Sequence, residues 1–520
     1  MLYLLPILLL LIGPAVMVVI RLVRPRFAYY WLTAALSALF AWPLVLLAQA
    51  GLPFRIDLAG WQPQELLHSS PALIFDPVSW SFALALSTLI VANILTAIAR
   101  PSEANWQAWA GSLAISAFGM LAVLAGNLVT LLMAWAAMDV LDLVISLRHI
   151  LDSRTRGRIT LAFTTRAAGI LLLLWAWIAI PSGRSTLSWA DIPAEISLYL
   201  LLAASLRLGV LPLQVPFSGE IPNRRGLSTL LSLATAAAAL MLLARVAVNG
   251  APEDLRTGLL ALATLSSLYA GIAWLNAGDE LKGRPFWILG GACLAFAAAV
   301  RGLPAASLAW SLATLLSGGL LFLVSAYQRL ILVLLVAGLL GFSGLPFTPA
   351  WQGVRLFSAP FSFWLVFFLF GHALLLAGYL RHSLRAGAAL QGVERWVWII
   401  YPWGLIWLPI THNLITWWGH TRVEFPQLFS SWPAVLSAAL VGILYVADRL
   451  GYVLPEKWLS NAQAFLSFNW LYRILWSLYH SLGRAVRFVN LILEGEGGIL
   501  WTLLLLTLMI SVLTQLGLGE

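Results

Sequence analysis

Apolar runs of about twenty residues follow one another through almost the whole chain, and that is the length an α-helix needs to cross the hydrocarbon of a bilayer. A membrane β-barrel would instead show segments of about ten residues with alternating polarity, so only helices fit the pattern. With 61% apolar and 10% charged residues, the composition excludes a soluble globule, a disordered chain and a disulfide scaffold. The formal charge of +9 fits basic loops on one side of a membrane and gives no reason to expect nucleic acid. Cys293 lies in an apolar run and, as the single cysteine, can form neither an intrachain disulfide nor a thiolate metal site.

Proline, glycine and charge clusters punctuate the runs into about sixteen spans, near 2-20, 29-50, 76-99, 107-124, 127-147, 159-180, 197-216, 227-248, 256-276, 285-300, 305-327, 330-349, 359-380, 396-418, 432-450 and 498-517. The first span ends in Arg21, Arg24 and Arg26, without a basic leader or a small-residue cleavage site, and reads as a retained helix. With the N-terminus outside, twenty-one of the 30 basic residues fall in cytoplasmic segments and seven opposite, leaving Arg166 and Arg207 inside spans. This describes an integral protein of a prokaryotic plasma membrane.

Two spans are broken in a similar way, one at Pro212 and Pro216 and the other at Pro346 and Pro349. Proline removes a backbone donor and clashes with the preceding turn, so each break frees carbonyls that need partners inside the bundle. The breaks lie five spans apart, which would invert one half relative to the other. Two unrelated proline kinks would give the same pattern. The fold class expected is an all-α polytopic membrane protein of 14-16 transmembrane helices, with two inverted five-helix repeats and a C-terminal amphipathic helix. Its parts are N-terminal helices over 1-106, repeats over 107-248 and 249-380, C-terminal helices over 381-454, the amphipathic helix over 455-495 and a last span over 496-520. In the amphipathic segment Phe465, Phe468, Leu471, Leu475, Leu478, Leu482 and Val486 recur every three or four residues, between Arg473, His480, Arg484 and Arg487. Such a helix lies flat on lipid or braces other subunits.

Charges at membrane depth are costly and default to functional candidates. Asp139 and Asp142 share one face of the fifth span, Arg166 lies in the sixth and Arg207 near the middle of the seventh. Arg245, near the end of the eighth, is expected to snorkel to water. Arg207 needs a carboxylate, and Asp139 or Asp142 is the expected partner. Such a pair either locks helices together or lines a half-channel in which an aspartate trades protons. Arginine, always charged, can bias that path but cannot relay a proton as lysine does. No metal-ligand spacing, phosphate loop, dinucleotide fingerprint or nucleophile elbow is present, so no cofactor, metal or catalytic centre is expected.

Pro212 to Arg245 resembles the seventh and eighth helices of the antiporter-like subunits of respiratory complex I, Mrp-type cation/proton antiporters and membrane-bound hydrogenases. The matching residues are Ser228, Leu230, Leu231, Ala234, Thr235, Ala244 and Arg245. The resemblance extends to Asp76 in FDPVSWSF, Trp135 and Met138, Thr165-Arg166, Leu281-Lys282, Leu320 to Ala326 and Ser343 to Pro346, with Asn469 to Arg473 similar to a C-terminal Trp-aromatic-Tyr-Arg element. It implies a membrane-arm subunit of a proton- or sodium-translocating complex, with other membrane subunits and the bilayer as its partners. The relay residues that the family uses are largely replaced. The fifth-helix glutamate position holds Ala136, the seventh-helix lysine position Arg207, the eighth-helix histidine position Ser232 and the eleventh-span lysine position Gly318. The charged position of the twelfth span falls on Val354, beside Arg355. The resemblance therefore leaves three roles open: an ion-translocating subunit with a modified path through Asp139, Asp142 and Arg207, a non-conducting structural subunit, or the membrane partner of a zinc protein in inorganic-carbon uptake.

Overall fold

The computed structural model describes residues 2–58, 70–100, 105–148, 153–180, 189, 192–213, 225–326, 329–358, 362–385, 394–419, 432–450, 461, 469–494 and 496–516. Among the described residues, fifteen α-helices belong to the larger of two compact units, Met1–Leu459. They are α1 (Leu5–Val23), α2 (Tyr30–Leu47), α3 (Pro77–Thr96), α4 (Trp106–Val123), α5 (Leu128–Arg148), α6 (Ser153–Ile178), α7 (Ala194–Leu208), α8 (Leu227–Val246), α9 (Glu253–Leu275), α10 (Glu280–Val300), α11 (Pro304–Leu323), α12 (Arg329–Ser343), α13 (Phe363–Ser383), α14 (Val397–Trp418) and α15 (Trp432–Arg449). The second unit, Ser460–Glu520, holds α16 (Asn469–Glu494) and α17 (Glu496–Leu516). Among the described residues eleven helices are long and apolar enough to cross a membrane, and three shorter apolar stretches accompany them. The protein is an all-α polytopic membrane protein, and each span expected from the sequence contains a helix.

Burial sorts the helices. The most apolar stretches of α8 and α11 are wholly buried and that of α10 is 94% buried, whereas those of α1 and α2 are 28% and 33% buried. Lipid tails are as apolar as leucine, so helices inside a bilayer associate through close packing of small residues. Helix α8 (LSTLLSLATAAAALMLLARV) supplies that surface, and α3, α4, α7, α10 and α11 pack around it.

One feature departs from an all-helical reading. Phe54–Asp57 and Ala72–Phe75 form an antiparallel pair, β1 and β2, with Phe54 opposite Phe75 and Asp57 opposite Ala72. Each strand is four residues long, too short for the hydropathy of a span to register it, and the pair is held by stacked Phe54 and Phe75 rings at 4.5 Å.

Both helices end before their prolines, and at each end one carbonyl meets a side chain from another helix. Helix α7 stops at Leu208, well before the expected end at 216, and turns through Gly209 at φ +76°. Val210 O then accepts from Ser266 Oγ of α9 at 2.7 Å. Helix α12 stops at Ser343, followed by Gly344 at φ +69°, and Phe342 O lies 2.9 Å from His372 Nε2 of α13. That carbonyl can only accept, so Nε2 carries the proton and Nδ1 accepts from Ser437 Oγ at 2.9 Å. A backbone group freed at membrane depth is thus matched by a side chain from a neighbouring helix. Pro216 lies outside the described residues.

In the second unit, α16 turns over the expected amphipathic segment. Ile474, Leu478 and Leu482 are exposed, as are Arg473, His480, Arg484 and Arg487. Phe465 and Phe468 lie outside the described residues.

Candidate functional site

The four sequence candidates come together between α5, α6 and α7. Asp139 and Asp142 are three positions apart on α5, so both project toward one side, and α6 and α7 each bring one arginine to them. Arg207 grips Asp139 with both terminal nitrogens, Nη1 to Oδ2 at 2.6 Å and Nη2 to Oδ1 at 2.9 Å. Arg166 Nη2 donates to Asp142 Oδ2 at 2.5 Å, while its Nε is 3.7 Å from Asp139 Oδ1. Arg166 therefore bridges the two carboxylates, and the cluster carries two negative and two positive formal charges. A bidentate fork of this kind fixes orientation as well as charge.

The surroundings hold the fork in place. The Arg207 guanidinium lies 4.2 Å from the centroid of a Trp135 ring, one turn before Asp139 on the same helix. Gly169 on α6 makes room for the arginine stem, since a Cβ there would stand 2.9 Å from Arg207 Cγ. Asp139 and Arg207 are 1% and 2% exposed, so the bridge is sealed from bulk solvent. The Asp142 side chain is 14% exposed, with Ser146 Oγ at 3.4 Å, and it is the accessible end of the cluster.

Three further charged contacts escape a span-by-span reading. Arg245 does not snorkel. It is 5% exposed, and Nη1 and Nη2 donate to Asp76 at 2.8 and 3.2 Å, with the Trp189 ring beside its guanidinium. Asp76 is the N-cap of α3, one residue before the helix begins at Pro77, and shares a capping box with Ser79. The signal was available, because an aspartate before a proline-led helix marks a cap whose second oxygen is open to a cation. Arg284, four residues into α10, is 1% exposed and donates to Thr229 Oγ1 at 2.8 Å and Ser228 Oγ at 2.6 Å. One turn earlier, Glu280 pairs with Arg225 at 2.5 Å.

Burial raises the Asp76 carboxyl, but the charge and hydrogen bonds of Arg245, with the Ser79 contacts, outweigh it and hold the group below its usual 3.8. A depressed folded value stabilises the protein fully above the unfolded value and loses that contribution as pH falls through the folded one. The thermal midpoint in detergent is thus expected to fall on acidification below about pH 4, and Asp76→Asn is expected to flatten that slope. An identical acid slope in the variant would assign it to other groups.

The position corresponding to the eleventh-span lysine is structurally closed. A Cβ on Gly318 would stand 2.3 Å from Trp287 Nε1 and 2.8 Å from its Cδ1. Trp287 is fully buried, donates to Thr314 O at 2.9 Å and packs against Trp274, Phe342 and Tyr379, with centroids at 5.6, 4.5 and 5.4 Å. Ser232, at the histidine position of α8, donates to Ser228 O of its own helix. Val354 lies buried in a short 3-10 helix, Trp351–Phe357, and Arg355 beside it is exposed. Cys293 is buried.

No protein-family model and no curated sequence matches the chain. Solved structures do. A chain of the membrane-bound sulfane sulfur reductase, an archaeal respiratory membrane complex, aligns over 98% of this chain and 99% of its own length at TM-score 0.68 and 16% identity. The chain has the fold of these membrane subunits. A chain of the Mrp complex from Dietzia sp. DQ12-45-1b aligns over 99% of this chain at TM-score 0.69 and 14% identity, and this chain spans 63% of its length. A chain of respiratory complex I from Thermus thermophilus with bound NADH aligns over 85% of this chain and 100% of its own, at TM-score 0.61 and 18% identity.

Proposed function

We propose that this chain is a membrane-arm subunit of an ion-translocating complex related to the Mrp, sulfane sulfur reductase and complex I assemblies. Within that complex it braces the arm and does not pass an ion through its second half. The observation that carries the second statement is the Trp287 indole, which fills the space that a side chain at 318 would need. A relay group cannot stand at a position that the packing reserves for glycine. The cluster of Asp139, Asp142, Arg166 and Arg207 supports the same reading, because both of its cations are arginines, a residue type that does not release its proton at working pH. Its role is to lock α5, α6 and α7 together. On this reading the broken helices α7 and α12 mark two inverted halves, and the N-terminus lies outside a prokaryotic plasma membrane.

A second reading draws on the partial exposure of Asp142. A carboxylate held by one arginine contact and reached from the rim could exchange protons with water while the Asp139–Arg207 fork stays shut. Affinity purification of the tagged protein in mild detergent, mass spectrometry of its partners and proton uptake by the reconstituted complex separate the readings. The bracing role expects redox or antiporter subunits to co-purify, with uptake per assembled complex unchanged in Asp142→Asn. Loss of uptake in a fully assembled Asp142→Asn complex would establish the half-channel instead. A soluble zinc-binding protein as sole partner would move the chain to inorganic-carbon uptake.

A further inference from the structure

The last turn of α1 and the loop that leads to α2 carry arginines that the ion-pair clusters do not use. Arg21, Arg24 and Arg26 lie within six residues, and the chain has no aspartate or glutamate before Asp57. All three are exposed, and among the described residues no carboxylate pairs with them. Some cations at other helix ends do have partners: Lys282 lies near Asp279, Arg256 near Glu253, and Arg381 donates to Leu275 O. Arg21 itself donates to Pro25 O, which shapes the turn. Arg24 and Arg26 then line a concavity of about 630 Å³ with Pro25, Phe27, Ala28 and Tyr29.

Two further features favour an anion here. Helix α2 begins at Tyr30 with no side chain capping it; Leu32 and Thr33 N–H already donate to Tyr29 O, which leaves the N–H groups of Tyr30 and Trp31 at this end of an 18-residue helix. Below the loop both helices present apolar side chains outward, Ile12, Val19, Leu22 and Val23 on α1 and Leu32, Leu36, Leu39 and Phe40 on α2. Tyr29, 68% exposed, stands at the polar end of this surface, where an amphipathic ring sits at headgroup depth. Guanidinium groups recognise phosphate oxygens through charge and paired donors.

We propose that this loop is a binding site for an anionic phospholipid, its phosphate held by Arg24 and Arg26 at the α2 N-terminus and its acyl chains lying along the outer faces of α1 and α2. Charge complementarity selects a lipid with net negative charge over a zwitterionic one. The apolar faces below the loop select a lipid over a free phosphate.

The test uses the full-length protein in nanodiscs with equal amounts of phosphatidylglycerol and phosphatidylcholine, followed by native mass spectrometry of the retained lipid. The wild-type protein is expected to retain phosphatidylglycerol, and the Arg24→Gln/Arg26→Gln variant to lose about ten- to thirtyfold of that retention, as two arginines at an anionic surface imply. Arg24→Lys/Arg26→Lys should keep part of it, and an unchanged thermal midpoint in both variants excludes misfolding. Undiminished phosphatidylglycerol in the Gln variant, equal retention of phosphatidylcholine by the wild type, or displacement of the lipid by inorganic phosphate would each overturn the proposal. So would loss of the lipid when the chain is incorporated into its complex, since a partner's acidic loop would then be the occupant.

Discussion

Arg207→Leu is expected to be the most destabilising single change in the first half of the bundle, costing about 3–5 kcal/mol. The leucine leaves the buried Asp139 side chain with only the Arg166 Nε at 3.7 Å to answer it, and removes the guanidinium from the Trp135 ring. Taking one partner from a buried pair is expensive because the other keeps its desolvation penalty without its attraction. The double variant Asp139→Leu/Arg207→Leu should therefore recover most of the loss. Chemical unfolding in detergent, or the yield of folded protein where unfolding is irreversible, reads both. Arg207→Lys falls between them, since an ammonium cannot reproduce the two-pronged grip. If the double variant were as damaged as the single one, the pair would hold α5 to α7 by shape, not charge.

The ion pair also shows where a sequence can be read and where it cannot. A charge in the middle of an apolar span has few admissible partners, so scarcity alone directed Arg207 to Asp139 or Asp142. The choice between them was not legible, because a three-residue offset puts both carboxylates on one face and only the positions of α6 and α7 decide which arginine meets which. Arg245 and Arg284 show the opposite limit. Each lies near a helix end, where hydropathy places it at the water boundary, yet Asp76 draws one inward and the Ser228 and Thr229 hydroxyls hold the other. Span positions depend on local composition and were legible, but two ends were not: α7 stops at Leu208 and α12 at Ser343, short of the expected 216 and 349. The breaks in α7 and α12 were marked by proline, but the side chains that satisfy them, Ser266 and His372, come from other helices and carry no local mark. The β1–β2 pair lies below the length that any hydropathy window resolves.

Gly318→Ala is expected to destabilise the second half by about 1–3 kcal/mol, although it adds a single methyl group to a helix that would otherwise favour alanine over glycine. The methyl carbon would sit 2.3 Å from Trp287 Nε1, inside any real contact, so the indole must move. Moving it breaks the bond from Nε1 to Thr314 O and disturbs the packing with Phe342 at 4.5 Å. Cores packed to this density do not absorb such a shift without strain. The cause can be isolated by a cycle. Trp287→Leu costs stability through the cavity it leaves, but in that background Gly318→Ala should cost nothing further, so the two changes are strongly non-additive. A neutral Gly318→Ala in the wild-type background would show that the indole yields freely, and the closed second half would lose its physical basis. Gly318→Lys extends the argument to function. The lysine adds a buried ammonium to the same collision, so alone it should abolish folding, and only the Trp287→Leu background offers space for its stem. A lysine relay at this position thus requires two coordinated substitutions.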